Sequence, residues 1–427
     1  MKKANDFLKS HKLTAGDIDM QQVVNIFLNE MDAGLAGKES SLRMIPTYIE
    51  TDNELVANQP VVAIDAGGTN FRTAIVYFDD NMQLVTEKLK NGRMPAIDKE
   101  LSKKEFFETM AGYLEEYKDA AEKIGFCFSY AVEIFPDKDG KLLEWSKEIK
   151  APEVIGEMVG RNLLAAMGTP GKPLVVLNDT VATLLAGKAA TAGREFDTYI
   201  GFILGTGTNT AYIELNDNIL KTSGLHSGSS QIINIESGAF GNPPRTDIDL
   251  LFDSQTKNPG RYIFEKMFSG GYFGGLCSTA LKQAAKEGMF SVESTSRVLD
   301  LPELASEEVN KFVCGIDFSQ NQLTRALLTD DDRASAAAII EGLIERASKL
   351  VAANLAAVIL KTGKGKSASK PVLMTIEGTT FYKLKNFQEM FEKYMHEFLN
   401  GNNQRYYEIV EVENSSLLGA AIAAIVN

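Results

Sequence analysis

Cysteine is scarce in this chain of 427 residues, occurring only as Cys127, Cys277 and Cys314, with no CxxC pair and no Cys/His cluster. A dispersed, odd-numbered set supplies neither a disulfide framework nor a structural zinc site, so the thiols are expected to be reduced. Histidine is equally rare: His11, His226 and His396 are scattered, and neither Cys-His nor Ser-His-Asp catalysis finds a supporting context. No run reaches the ~18 apolar residues of a membrane span, and the opening MKKANDFLKSHKLTAGD lacks the apolar stretch of a secretory signal. A cytoplasmic location is the default expectation. Positive charge is also short, with 44 Lys plus Arg against 57 Asp plus Glu and a formal net charge of −13. The overall field therefore repels nucleic acid and acidic membrane surfaces, and a small anion has to be captured by local donors.

What is present is an ordinary globular composition, 44% hydrophobic and 24% charged with 35 Gly and 12 Pro, long enough for two or three domains. From Asp17 to Leu35, the positions of Val23, Ile26, Phe27 and Met31 predict an amphipathic helix. VVAID, AGGTN, FRTAIVYFD, DDNMQ and LVTEKLK read as strand, tight Gly turn, strand, turn, strand. The same grammar returns roughly 140 residues later as TYIGFIL, GTGTN, TAYIELN, DN and ILKTSGL, which predicts an internal duplication. Between the copies lie a helix marked by Phe107, Met110, Leu114 and Tyr117, the strand IGFCFSY, and KPLVVLN running into DTVATLLAGKAA. Beyond residue 260 the pattern is mostly helical, closing with the strand PVLMTIEG and the helix SSLLGAAIAAIV. Such alternation specifies α/β architecture.

Five places carry possible chemistry. In Asp65-Ala66-Gly67-Gly68-Thr69-Asn70 a strand turns sharply into the next; glycines let backbone amides approach a phosphate, and Asp65 at the strand end suits Mg²⁺, directly or through water. An ordinary hairpin turn would look the same. Gly205-Thr206-Gly207-Thr208-Asn209 occupies the equivalent place in the second copy, and two facing turns would clasp a polyphosphate. Asn178-Asp179 follows an apolar strand and opens a helix, at the carboxyl end where α/β ligands bind. Either residue would serve as a helix cap, and Asp179 would also serve as the base toward an attacking hydroxyl. Lys147 beside Trp145 is either a sugar-binding donor or a solvated charge, whereas Glu236, set between apolar residues, calls for a partner.

Taken together, these segments resemble the ATP-dependent hexokinase and glucokinase family, whose fold belongs with actin, Hsp70 and the sugar kinases. The resemblance runs in family order from about residue 24 to the end, through DAGGTNFR, WSK, LNDTVATLLAG, LGTGTNTAY, INIESGAFG, NPGRYIFEKMFSGGYFG, EGTTFYK and the terminal GAA. It implies a two-lobed, actin-like ATPase (ribonuclease H-like) fold with duplicated mixed sheets and a cleft between the lobes. One lobe would comprise residues 59–178 plus 415–427, the other 1–58 plus 179–414. It implies ATP-dependent phosphorylation of the 6-hydroxyl of a hexose, glucose first, with mannose, fructose or a C2-modified hexose also open, as the first step of glycolysis. On this basis Ser129, Ser146, Lys147, Asn178, Asn209 and Glu236 would hold the sugar and Asp179 would be the base. Asp65, Gly67, Gly68, Thr69, Asn70, Arg72, Gly205, Thr206, Gly207 and Thr208 would hold the phosphates and Mg²⁺, with Asp65 the metal residue. Gly378, Thr379 and Ser416 would lie near the nucleoside. The implied partners are the hexose and ATP, with no nucleic acid and no membrane.

Departures from the pattern are Ala131 after FSY, Leu418 before the terminal GAA, and Gly275 in SGGYFGG, where the family motif SGxYxGE implies a sugar-binding Glu. Loss of that charged partner would weaken sugar binding roughly 10-fold to 150-fold. It also motivates an alternative, a hexokinase-like sugar sensor without turnover. An actin-like or Hsp70-like ATPase is a second alternative, but it leaves WSK, INIESGAFG and FEKMFSG without explanation.

Overall fold

The computed structural model describes residues 2–50, 55–145, 149–317 and 319–427; Ser146 and Lys147 fall outside them. Two sheets are built on one plan. In the first, β2 (Val61–Gly67), β3 (Asn70–Phe78) and β4 (Leu84–Arg93) form the expected meander, and β5 (Lys123–Phe128) and β8 (Leu174–Leu177) add to it in parallel, giving the order β4-β3-β2-β5-β8. In the second, β9 (Thr198–Leu204), β10 (Thr208–Leu215) and β11 (Ser230–Asn234) repeat the antiparallel meander. Parallel β12 (Val372–Glu377) and β13 (Tyr407–Val410) follow, and β1 (Ile45–Pro46) extends the other edge, so β11-β10-β9-β12-β13 reproduces the first order strand for strand. The hairpin of β6 (Ala131–Ile134) and β7 (Gly140–Glu144) stands beside the first sheet.

Burial explains the strand sequences. VVAIDA in β2 is buried at every position, because helices cover both faces of a parallel-connected sheet. The outer β4 is exposed along nearly its whole length, and its Lys and Glu residues guard that edge against pairing with another chain. Two predicted elements differ. The helix expected from Asp17 begins at Met20, after a first helix at Lys2–Ser10, since the Asp19 carboxylate accepts the Gln22 N–H and caps it. ILKTSGL is not the third strand of the second meander; that strand is β11, because residues 221–229 are rich in turn formers and Gly224 and Gly228 take positive φ.

The two helices that follow the fifth strands, Asp179–Ala190 and Ser415–Val426, cross each other between the sheets. The first packs on β9 and β12, the second on β2 and β5, so each lobe grips a helix joined to the other. Their contact is very close: a Cβ added at Gly419 would sit 1.9 Å from the Ala182 carbonyl oxygen, and the terminal helix lies equally close to β5, where a Cβ at Gly125 would sit 1.8 Å from the Ala420 carbonyl oxygen. The terminal Gly-Ala-Ala is thus a packing face as well as a motif.

Candidate functional site

Carboxyl ends of strands from both sheets meet at the N-terminus of the Asp179–Ala190 helix. Asn178 caps that helix, its Oδ1 accepting the Thr180 N–H at 2.9 Å, and the same N–H lies 2.9 Å from Asp179 Oδ1. Asp179 is half-buried. Its charge pushes the carboxyl groups of Asp65, Glu236 and Glu377 upward, which places it electrostatically among all three.

On one side lies a polar floor. Asn209 Nδ2 donates to Asn234 Oδ1 at 2.7 Å and approaches Asn178 Oδ1 and Glu236 Oε1 at 3.3 and 3.4 Å. Asn234 Nδ2 donates to Glu236 Oε1 at 2.8 Å. Glu236 takes φ 60°, an uncommon conformation for its type, and the Ser237 N–H anchors the following turn by donating to Asn209 Oδ1 at 3.2 Å. Burial raises the Glu236 carboxyl above its usual range; the Asn234 bond and Arg43 oppose this without cancelling it. Glu265 joins the floor from below the second turn, its Oε2 accepting the Thr208 N–H at 2.9 Å.

On the other side are the two turns. Gly68 takes φ 63° in the first, and Tyr130 secures it by donating to the Gly68 carbonyl at 2.9 Å. Thr69 and Asn70 are exposed at the tip, and Ser129 Oγ lies 2.9 Å from where a Gly67 Cβ would stand. Asp65 is 5% exposed and paired with Arg72, whose Nε donates to Oδ2 at 2.9 Å while Nη1 donates to Asn414 Oδ1 at 2.9 Å. Burial nevertheless raises the Asp65 carboxyl, overcoming Arg72. The second turn is wrapped by its neighbours, with the Gly205 carbonyl accepting Gly270 N–H at 2.8 Å and Thr380 Oγ1 at 2.9 Å. Gly378 has φ 123° and no room for a Cβ, which would meet the Leu204 carbonyl oxygen at 2.2 Å. That contact joins the EGT segment, with exposed Thr379, to the second turn.

Thr208 points differently from its expected role, because its N–H is taken by Glu265 and its hydroxyl donates to the Ile203 carbonyl at 3.0 Å. Of the rest of that turn, Thr206 is exposed and Gly205 and Gly207 are half-buried. Ser416 is buried, and its neighbour Ser415 makes the inward contact, donating to Glu377 Oε2. Glu377 also accepts from Thr183 Oγ1 at 3.3 Å and is raised by burial. Glu265, Asn234 and Glu377 were not singled out from sequence. Each carried a legible signal, a polar side chain inside or at the end of an apolar run, as at Glu236 and Asp65.

Gly275 requires a correction. A Cβ there would meet the Phe252 ring at 2.6 Å and Glu303 Oε1 at 2.9 Å, so the position faces the helical part of its lobe and neither Asn209 nor Glu236. The missing carboxylate is therefore no gap in the polar floor, and the sensor alternative loses its motive. Gly275→Glu is expected to lower the unfolding midpoint by several degrees through overpacking, leaving any sugar affinity within about twofold. Thermal melts and saturation curves check both.

The cation balance bears on a metal. Asp65 and Glu377 are raised by burial and by the field of Asp179, and the bound cation among them is Arg72. Such a surplus of buried carboxylate fits a divalent ion. Among the described residues no cluster of three or more His, Cys, Asp or Glu forms a direct cage. Among the described residues no helix is long and apolar enough to cross a membrane.

Residues 199–426 match the family model described as hexokinase, and residues 3–189 match a second model of the same description. The chain is similar to hexokinase-2 of Schizosaccharomyces pombe, 30% identical over 95% of this chain and 93% of that protein. It is likewise similar to hexokinase-3 of Oryza sativa subsp. japonica, at 28% identity over 96% of this chain and 87% of the relative. In fold it is similar to a solved hexokinase of Schistosoma mansoni complexed with glucose, with a TM-score of 0.80, 22% identity and 99% of both chains covered.

Proposed function

This chain belongs to the hexokinase family, and from that premise we propose that it transfers the terminal phosphoryl group of ATP to the 6-hydroxyl of a hexose, with glucose the first candidate and the first step of glycolysis the corresponding role. The observation that carries this reading is the union, at one helix N-terminus, of the Asn178–Asn209–Asn234–Glu236 floor with Asp179 and the two glycine turns. Neutral amides with two carboxylates, Glu236 and Glu265, suit several adjacent hydroxyls, each of which both donates and accepts.

In this reading Asn178, Asn209, Glu236 and Glu265, with Ser129 from the facing lobe, hold the ring. Asp179 orients the primary hydroxyl and takes its proton as the new bond forms. Gly67 to Asn70 and Gly205 to Gly207 bring backbone donors to the phosphates, and Gly378, Thr379 and the start of the terminal helix border the nucleoside. Mg²⁺ would be held with the phosphates near Asp65, through water, and would supply neutralisation of charge on the transferred group. Positioning supplies most of the rate, since little covalent work falls to the protein. The lobe boundaries implied by the resemblance fit this mechanism, with one turn on each side of the cleft.

ADP release from Mg·ATP is expected to depend on added hexose. A panel of glucose, mannose, fructose, glucosamine, N-acetylglucosamine and no sugar would rank the substrates. Release that is equal without sugar would instead indicate an ATPase.

A further inference from the structure

A carboxylate near the sugar floor is gripped by three side chains of the opposite lobe. Glu144 ends β7, beside the first sheet, whereas Arg43, Arg261 and Tyr262 belong to the lobe of the second. Arg261 Nη2 donates to both Glu144 oxygens at 2.9 and 3.0 Å, the Tyr262 hydroxyl donates to Oε1 at 2.9 Å, and Arg43 Nη2 stands 3.6 Å away. The proposed mechanism uses none of the four.

The gripping jaw is built in advance. Lys266, 3% exposed, donates through Nζ to Asp253 Oδ1 at 2.5 Å, Thr256 Oγ1 at 2.8 Å and the Asn258 carbonyl at 2.6 Å. The Gly260 N–H donates to Asp253 Oδ2 at 2.9 Å, which fixes the loop directly before Arg261. Tyr262 sits at φ 52°, a strained conformation for an aromatic residue, held where it can meet Glu144. The grip also borders the polar floor: Arg43 draws the Glu236 carboxyl down and Glu144 pushes it up.

We propose that Glu144 is a closure latch, a positioning residue that holds the lobes together over bound hexose and so sets hexose affinity without touching the transferred group; this rests on the hexose-kinase reading above. A ligand that binds only the closed form has its apparent affinity reduced by the fraction of molecules closed. Weakening the latch lowers that fraction, and saturating hexose restores it. The half-saturating hexose concentration therefore rises while kcat stays. A cluster this exposed is also screened by salt.

Glu144→Gln and Arg261→Ala are the tests, read by steady-state kinetics and by fluorescence of Trp145, the one tryptophan, whose ring lies 4.8 Å from that of Tyr130. Each variant is expected to raise both the hexose KM and the hexose half-saturation of fluorescence about tenfold, with kcat within about twofold. The double variant should be no worse than either single one. Salt raised from about 0.05 to about 0.5 M should raise the wild-type KM but leave that of Glu144→Gln unchanged. Unchanged half-saturation in both variants, with wild type turning over hexose, would overturn the latch alone, as would a fall in kcat at constant KM. A wild type with neither hexose-dependent turnover nor a fluorescence response would overturn the hexose-kinase reading and the latch with it. Thermal melts of both variants separate these outcomes from misfolding.

Discussion

An Asp179→Ala variant is expected to lose about a thousandfold or more of hexose-dependent turnover while still binding ATP. Asp179 is the carboxylate whose field reaches Asp65, Glu236 and Glu377, so it lies near both the first glycine turn and the polar floor. Thr180 holds it, with an N–H 2.9 Å from Oδ1, and helix 179–190 is gripped from both lobes. Asp179→Asn separates roles: the amide oxygen keeps the Thr180 bond and the side-chain volume but cannot accept the proton. The two variants should be nearly equally inactive, with ATP binding measured by titration close to wild type. Turnover within about tenfold of wild type in either would remove Asp179 from proton transfer.

Gly419→Ala is expected to have the largest effect on stability. The new Cβ would lie 1.9 Å from the Ala182 carbonyl oxygen and 2.4 Å from its Cα, and neither backbone atom belongs to a flexible side chain. The two crossing helices must separate, which costs on the order of 3 kcal/mol or more and shifts the helix that carries Asp179. Loss of soluble protein or a clearly lowered melting temperature, together with reduced kcat, is the predicted outcome. Gly171→Ala serves as control, because that glycine has open space around it and no positive φ; it should be neutral or slightly stabilising. Equal melting temperatures for the two variants would contradict the packing role of the terminal Gly-Ala-Ala.

Local signals carried the meanders, the two glycine turns and Asn178-Asp179, because hydrophobic period and turn chemistry act over a few residues. The strand order and the crossing of the two helices depend on contacts between distant segments, and only the repeated grammar hinted at them. The third strand of the second meander was misplaced because Ile219 and Leu220 imitate a strand, whereas the true strand SQIIN lies ten residues on, past a loop of turn formers. Among site residues, Asn209 was legible as the end of the second glycine turn and its sugar role came only from the resemblance, whereas Asp65 and Glu236 announced themselves as polar groups beside apolar strands. Glu265 and Glu377 had the same mark and were passed over. Gly275 was misjudged because it lies in the first turn of the helix Phe273–Lys286, on a face that meets Phe252 and Glu303, a fact of packing that no spacing rule contains. The Glu144 grip joins residues 43, 144, 261 and 262, a long-range convergence with no local pattern.

The most direct measurement is the position of the transferred phosphate, read by carbon and phosphorus magnetic resonance after incubation of ¹³C-labelled glucose with Mg·ATP and the enzyme. Phosphorus coupling is predicted at C6, with ADP formed in equal amount and with no product when Asp179→Ala replaces the wild type. Phosphate appearing only as the inorganic ion, or on the anomeric oxygen, would contradict the placement of the primary hydroxyl against Asp179.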